Sequence, residues 1–123
     1  MARQNQVLDF IGSTFRSVWA LEVLRLLAQA PDSAFAEEDI IAKLRASKAA
    51  IGQSVARLER LGLLTVEDGR VRFCAASADL EMLVTDAIDL YSRRPDMVRR
   101  TIVSSTSPGL TAFADAFRLR KDR

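Results

Sequence analysis

A mainly α fold carrying a small β-hairpin is what the 123 residues predict, on three observations. Apolar residues recur at spacings of three and four over most of the chain, Asp68-Gly69 stands between two β-prone runs, and almost nothing separates the second helical pattern from the third. At this length, with 49% apolar residues, one compact unit can bury a core without help from a metal or a disulfide. There is no His, and the single Cys74 cannot form an internal disulfide, so the usual zinc ligand sets are excluded and no cofactor is expected.

From Val7 to Leu27 the residues Ile11, Phe15, Val18, Trp19, Val23, Leu26 and Leu27 fit one long amphipathic helix that Pro31 stops, with Trp19 as a core anchor. "AEEDIIAKLRAS" sets Ile40, Ile41 and Leu44 on one face of a short second helix, with Glu37, Glu38 and Asp39 in the first turn where the helix dipole favours acids. Ala36 stands where a capping Ser or Thr is usual and forgoes about 1 kcal/mol unless Asp32 or Ser33 substitutes. Ser47 can cap a third helix whose Ile51, Val55, Leu58 and Leu61 turn inward, and Gly62 marks its end. "LLTVE" and "RVRFCA" then flank the Asp-Gly pair as the two strands of a hairpin. Leu80, Leu83, Val84, Ala87, Ile88 and Tyr91 outline a fourth helix ending near Arg94, and Pro95 can open a fifth carrying Val98, Ile102 and Val103. "SSTSPG", Ser104 to Gly109, reads as a linker to a tail with Leu110, Phe113 and Phe117 on one face.

Three helices with a tight turn between the second and third, followed at once by a hairpin, is the order of a winged helix-turn-helix, in which the third helix enters the major groove. The run from Val18 to Phe73 resembles the winged-helix core of MarR- and ArsR-type bacterial transcriptional regulators. The resemblance rests on the phrase that closes their recognition helix ahead of a basic wing, filled here by Leu58, Leu61, Gly62, Leu63 and Leu64; "RRPDMVRRTIV" and "AFADAFRLRKD" are similar to small proteobacterial winged-helix proteins. The implied organisation is a winged helix-turn-helix domain with a long N-terminal helix over residues 1–76, further C-terminal helices over 77–104, and a linker with a short amphipathic tail over 105–123. The recognition helix would span about 47–61 and the wing about 63–74.

Charge distribution fits that reading better than the net +2 does. Residues 40–75 hold seven basic residues against three acids, whereas residues 1–39 hold three against six. With Ile51, Val55 and Leu58 inward, a 100° step turns Ala49, Gln53, Ala56, Arg57 and Arg60 outward, with Lys48 at the helix start. Gln53 suits adenine, Lys48 or Arg57 guanine or phosphate, and the alanines thymine methyls, while Arg70 and Arg72 share the hairpin face that would meet the backbone. The candidate DNA-binding set is therefore Lys48, Ala49, Gln53, Arg57, Arg60, Arg70 and Arg72, and the expected partner is double-stranded DNA. A solvated helix face accounts for any one of these residues equally well. Since Ala49, Ala50, Gly52 and Ala56 offer little to read bases with, a winged helix used for protein contact is the competing reading.

A homodimer is expected through Leu80, Leu83, Val84, Ile88 and Tyr91, against the plainer alternative that this helix packs on its own chain. Leu110, Phe113 and Phe117 should dock, either on the same chain or on a partner subunit or regulatory protein. No enzyme is expected, because there is no His, no Gly-rich phosphate loop and no nucleophile–base pair at recognisable spacing, and the acids Glu81, Asp86 and Asp89 read as a solvated helix face. Cys74 reads as a small buried hydrophobe. With no apolar run long enough for a secretory or membrane segment, a soluble cytoplasmic protein with no membrane partner is expected.

Overall fold

The computed structural model describes residues 2–106, which form six helices and a three-stranded antiparallel sheet. Helices α1 (Ala2–Thr14) and α2 (Val18–Gln29) precede a short strand β1 (Phe35–Ala36). Then come α3 (Glu37–Leu44), α4 (Lys48–Arg60), the hairpin strands β2 (Leu64–Glu67) and β3 (Arg70–Phe73), α5 (Ala78–Arg93) and α6 (Pro95–Thr106).

The single helix expected over Val7–Leu27 is two. Ser17 adopts an extended backbone (φ −157°, ψ 161°) and its Oγ accepts from the Ala20 N–H at 3.3 Å, capping α2 and interrupting α1. Apolar spacing runs through the break because both helices face one core, so the periodicity hides it. Phe15, at the break, is wholly buried and meets Phe10 edge-on at 5.9 Å. Trp19 is not the core anchor: it is 39% exposed, while its neighbours Ala20, Leu21, Val23 and Leu24 supply the buried face of α2.

Ala36 caps α3 with no side-chain bond, as its chemistry requires. The helix start is held instead by β1, whose Phe35 and Ala36 pair with Val71 and Arg70 of β3, giving the strand order β1-β3-β2. Two residues carry too little alternation to be read as a strand. Arg45 ends α3 in the left-handed region (φ 54°), and Ser47 Oγ accepts from the Ala50 N–H at 3.0 Å to open α4. Past α4 the Gly62 N–H bonds the Glu59 carbonyl and the Leu63 N–H the Leu58 carbonyl, a closing pattern that needs the left-handed φ of +76° found at Gly62. Asp68 (φ 52°) and Gly69 (φ 74°) form the two-residue turn their sequence demands. Leu64 and Val71 are thereby buried while Arg70 and Arg72 face outward.

One continuous cluster fills the interior. Leu21, Leu24 and Leu27 of α2 join Ile40, Ile51, Leu58, Leu63 and Val71, and Val7, Ile11 and Phe15 extend the cluster to Val84, Ala87, Leu90, Val98 and Ile102 on α5 and α6. Helix α6 runs to Thr106, so the linker expected from Ser104 begins as helix. Cys74 is exposed rather than buried, because the inward alternation of β3 ends at Phe73.

Tyr91 ties three helices together. Its hydroxyl donates to Glu22 Oε2 at 2.5 Å, and the guanidiniums of Arg25 and Arg99 stand 5.8 and 5.7 Å from its ring centre. Burial, then the bond to Glu22, raises its pKa above the ordinary 10.0. A raised folded-state value means this contribution to stability is whole below pH 10.0 and is lost as the pH climbs through the raised value. Thermal melts of Tyr91→Phe are therefore expected to fall less steeply above pH 10.0 than those of the parent, and equal slopes would contradict the bond.

Candidate nucleic-acid interface

Helix α4 presents most of the outward face that its sequence predicts, but Leu61, expected inward, is 40% exposed because the helix ends at Arg60. Ile51, Ser54, Val55 and Leu58 are buried, Ser54 satisfied by donating to the Ala50 carbonyl at 2.8 Å, whereas Lys48, Ala49, Gln53, Ala56 and Arg60 are exposed. Between the long side chains the face is smooth. At its edge the Glu37 carboxylate leans over Gly52, 3.5 Å from where a Cβ would stand, and adds a negative group beside the helix.

Arg57 departs from the expected role. Its Nε donates to the Thr14 carbonyl at 2.9 Å and its Nη2 to the Ser13 carbonyl at 3.2 Å, so the guanidinium closes the C-terminal end of α1, where free carbonyls and the negative end of the dipole favour a cation. Part of its donor set is thus occupied inside the chain and is not free to read a base. Burial, followed by repulsion from Arg16 and Arg60, lowers its pKa. Arg57→Met should preserve the stem's packing while leaving those carbonyls unpaired, costing about 1–2 kcal/mol and lowering Tm by roughly 4–8 °C in a thermal melt. An unchanged Tm would show the two bonds to be without net effect.

On the hairpin, register places Thr65 opposite Arg72 and Glu67 opposite Arg70, all on the face away from the core. A shallow cleft of about 300 Å³ runs along this face between Thr65, Arg70 and Arg72, with Glu67 and Asp68 at the turn end. The acids partly offset the arginines there, so the positive potential concentrates toward Arg72.

The fold also brings up residues that sequence reasoning missed. Arg16, in the turn between α1 and α2, joins Arg57 and Arg60 around a cleft beside α4, and Trp19 forms part of its wall. Nothing in the local sequence marks Arg16, because its neighbours in space lie more than forty positions away along the chain.

Of the residues expected at a dimer surface, Val84 and Tyr91 lie inside the chain's own core, since α5 packs on α1 and α6. They are unavailable to a partner. Leu80, Leu83 and Ile88 are half-buried and Met82 is 53% exposed. Leu110, Phe113 and Phe117, with the basic end that follows, lie outside the described residues. Among the described residues no helix is long and apolar enough to cross a membrane.

The chain matches no family model, no curated protein and no solved structure.

Proposed function

We propose that this protein is a winged helix-turn-helix DNA-binding regulator of transcription, with α4 in the major groove and the β2–β3 hairpin on the backbone. The observation that carries the reading is topological. A short strand between the first and second helices of a three-helix unit, α2, α3 and α4, pairs with the returning strand of the hairpin in the order β1-β3-β2. This pairing holds the hairpin beside α4, where a wing would stand, and supports the winged-helix reading. Lys48, Gln53 and Arg60 on α4 and Arg70 and Arg72 on the wing then supply exposed groups for phosphates and base edges, with Ala49 and Ala56 small enough for close approach to a groove wall. The homodimer belongs to the same reading, since two recognition helices about 34 Å apart would match one turn of DNA. Such a regulator acts by occupancy and needs no catalytic group or cofactor.

The second reading, a winged helix that contacts protein, is favoured by the smooth face of α4 and by the Glu37 carboxylate beside it. Fluorescence anisotropy with a labelled random duplex separates the two. Binding at about 50 mM salt that Arg70→Ala with Arg72→Ala weakens is the expected result, and no binding at that salt favours the protein-contact reading.

A further inference from the structure

The cleft between the start of α2 and the outward side of α4 has a volume of about 340 Å³, within the range that holds small charged groups together with part of the molecule that carries them. Its charge is one-sided. Arg16, Arg57 and Arg60 converge on it, and among the described residues no acidic side chain lines it. Among the described residues, only Arg57 of the three is held internally, by the carbonyls of Ser13 and Thr14, which are dipoles and not counter-charges. Bringing three guanidiniums together is unfavourable unless an anion offsets them.

Two further features indicate which anion. The first turn of α2, with its cap Ser17, forms part of one wall and sets the positive end of a twelve-residue helix beside the space. Trp19, 39% exposed on the same wall, offers an apolar ring beside the cations, which free inorganic phosphate would leave uncovered but a sugar-phosphate chain would cover. Gln53 reaches the cleft from the α4 face, so the space is continuous with the helix assigned to the major groove.

We propose that this cleft seats a backbone phosphate of the bound duplex, with Arg16 and Arg60 as its ligands and Trp19 packed against the adjoining sugar. The inference rests on the DNA-binding reading and extends that interface from α4 onto the turn between α1 and α2. Arg57 acts as a positioning residue: by bonding the end of α1 it fixes the turn that carries Arg16 against α4.

Trp19 is the single tryptophan of the chain, so its emission reports on the cleft alone. The experiment titrates the full-length protein with random duplex at about 50 mM salt, reading tryptophan emission, its quenching by acrylamide and the anisotropy of labelled DNA together; Arg16→Gln with Arg60→Gln is then compared with the parent over a salt series. Both arginines are exposed and repel Arg57, so the variant should melt no lower than the parent. The expected result is an emission change that saturates with the anisotropy, a fall in acrylamide quenching, and a log–log salt slope reduced by about one per protomer in the variant. Saturating anisotropy with unchanged emission, unchanged quenching and an unaltered slope would overturn the cleft's role and leave the DNA reading standing. Absence of any anisotropy change at that salt would overturn the DNA reading and the cleft's role with it.

Discussion

Raising the salt from about 50 to 200 mM should weaken duplex binding by about four decades if a dimer makes roughly eight phosphate contacts. Each neutralised phosphate releases condensed counterions, and the logarithm of affinity falls by about 0.9 per contact for each decade of salt, so a fourfold increase multiplies through all the contacts. Arg70 and Arg72 are exposed on the outward wing face and should contribute about half of these contacts, two from each protomer. Arg70→Ala with Arg72→Ala is therefore expected to halve the slope as well as to weaken binding, by a similar factor for every sequence tested. Base-reading residues behave differently: Gln53→Ala should change the preference among duplexes while leaving the slope in place. A parent slope near zero would mean that the binding makes no phosphate contacts, and would remove the assignment of the wing to the backbone.

The largest effect on stability is expected from Phe15→Ala, a loss of about 3–5 kcal/mol that lowers Tm by roughly 12–20 °C. Phe15 is 0% exposed, stands edge-on to Phe10 at the break between α1 and α2, and belongs to the cluster that links α1 with α5 and α6. Truncation removes the transfer free energy of the ring and leaves a cavity that two capped helix ends cannot close. Against a typical domain stability of about 5–15 kcal/mol this is a large fraction of the whole. Trp19→Ala is the informative control: the larger side chain, four positions on, is 39% exposed and should cost markedly less. Equal losses in calorimetry would mean that Trp19 is an anchor after all.

The contrast between these two aromatics shows what could be read in advance. Periodicity assigns Phe15 and Trp19 to one apolar stripe, because it measures angle along a continuous helix. The stripe is divided by Ser17, whose side chain competes for the backbone N–H of Ala20 and restarts the helix at a new angle. Arg57 is a similar case. Its outward angle on α4 is visible in the sequence, but the carbonyls it reaches belong to residues 13 and 14, placed there by the packing of α1 and not by any local signal.

The sequence by itself determined what neighbouring residues decide among themselves: the Ser47 cap, the left-handed stop at Gly62, the Asp68-Gly69 turn, the helix start at Pro95 and the inward Ile51, Val55 and Leu58 of α4. Each rests on a side chain bonding backbone within a few positions, on a φ open to few residues, or on a fixed angular step. Only the tertiary structure decided the pairing of β1 with β3, the burial of Val84 and Tyr91 within the chain, the engagement of Arg57 and the gathering of Arg16 with Arg60 beside Trp19. These depend on contacts between segments far apart along the chain, whose energies come from the shape of the assembled core and leave no period in the sequence.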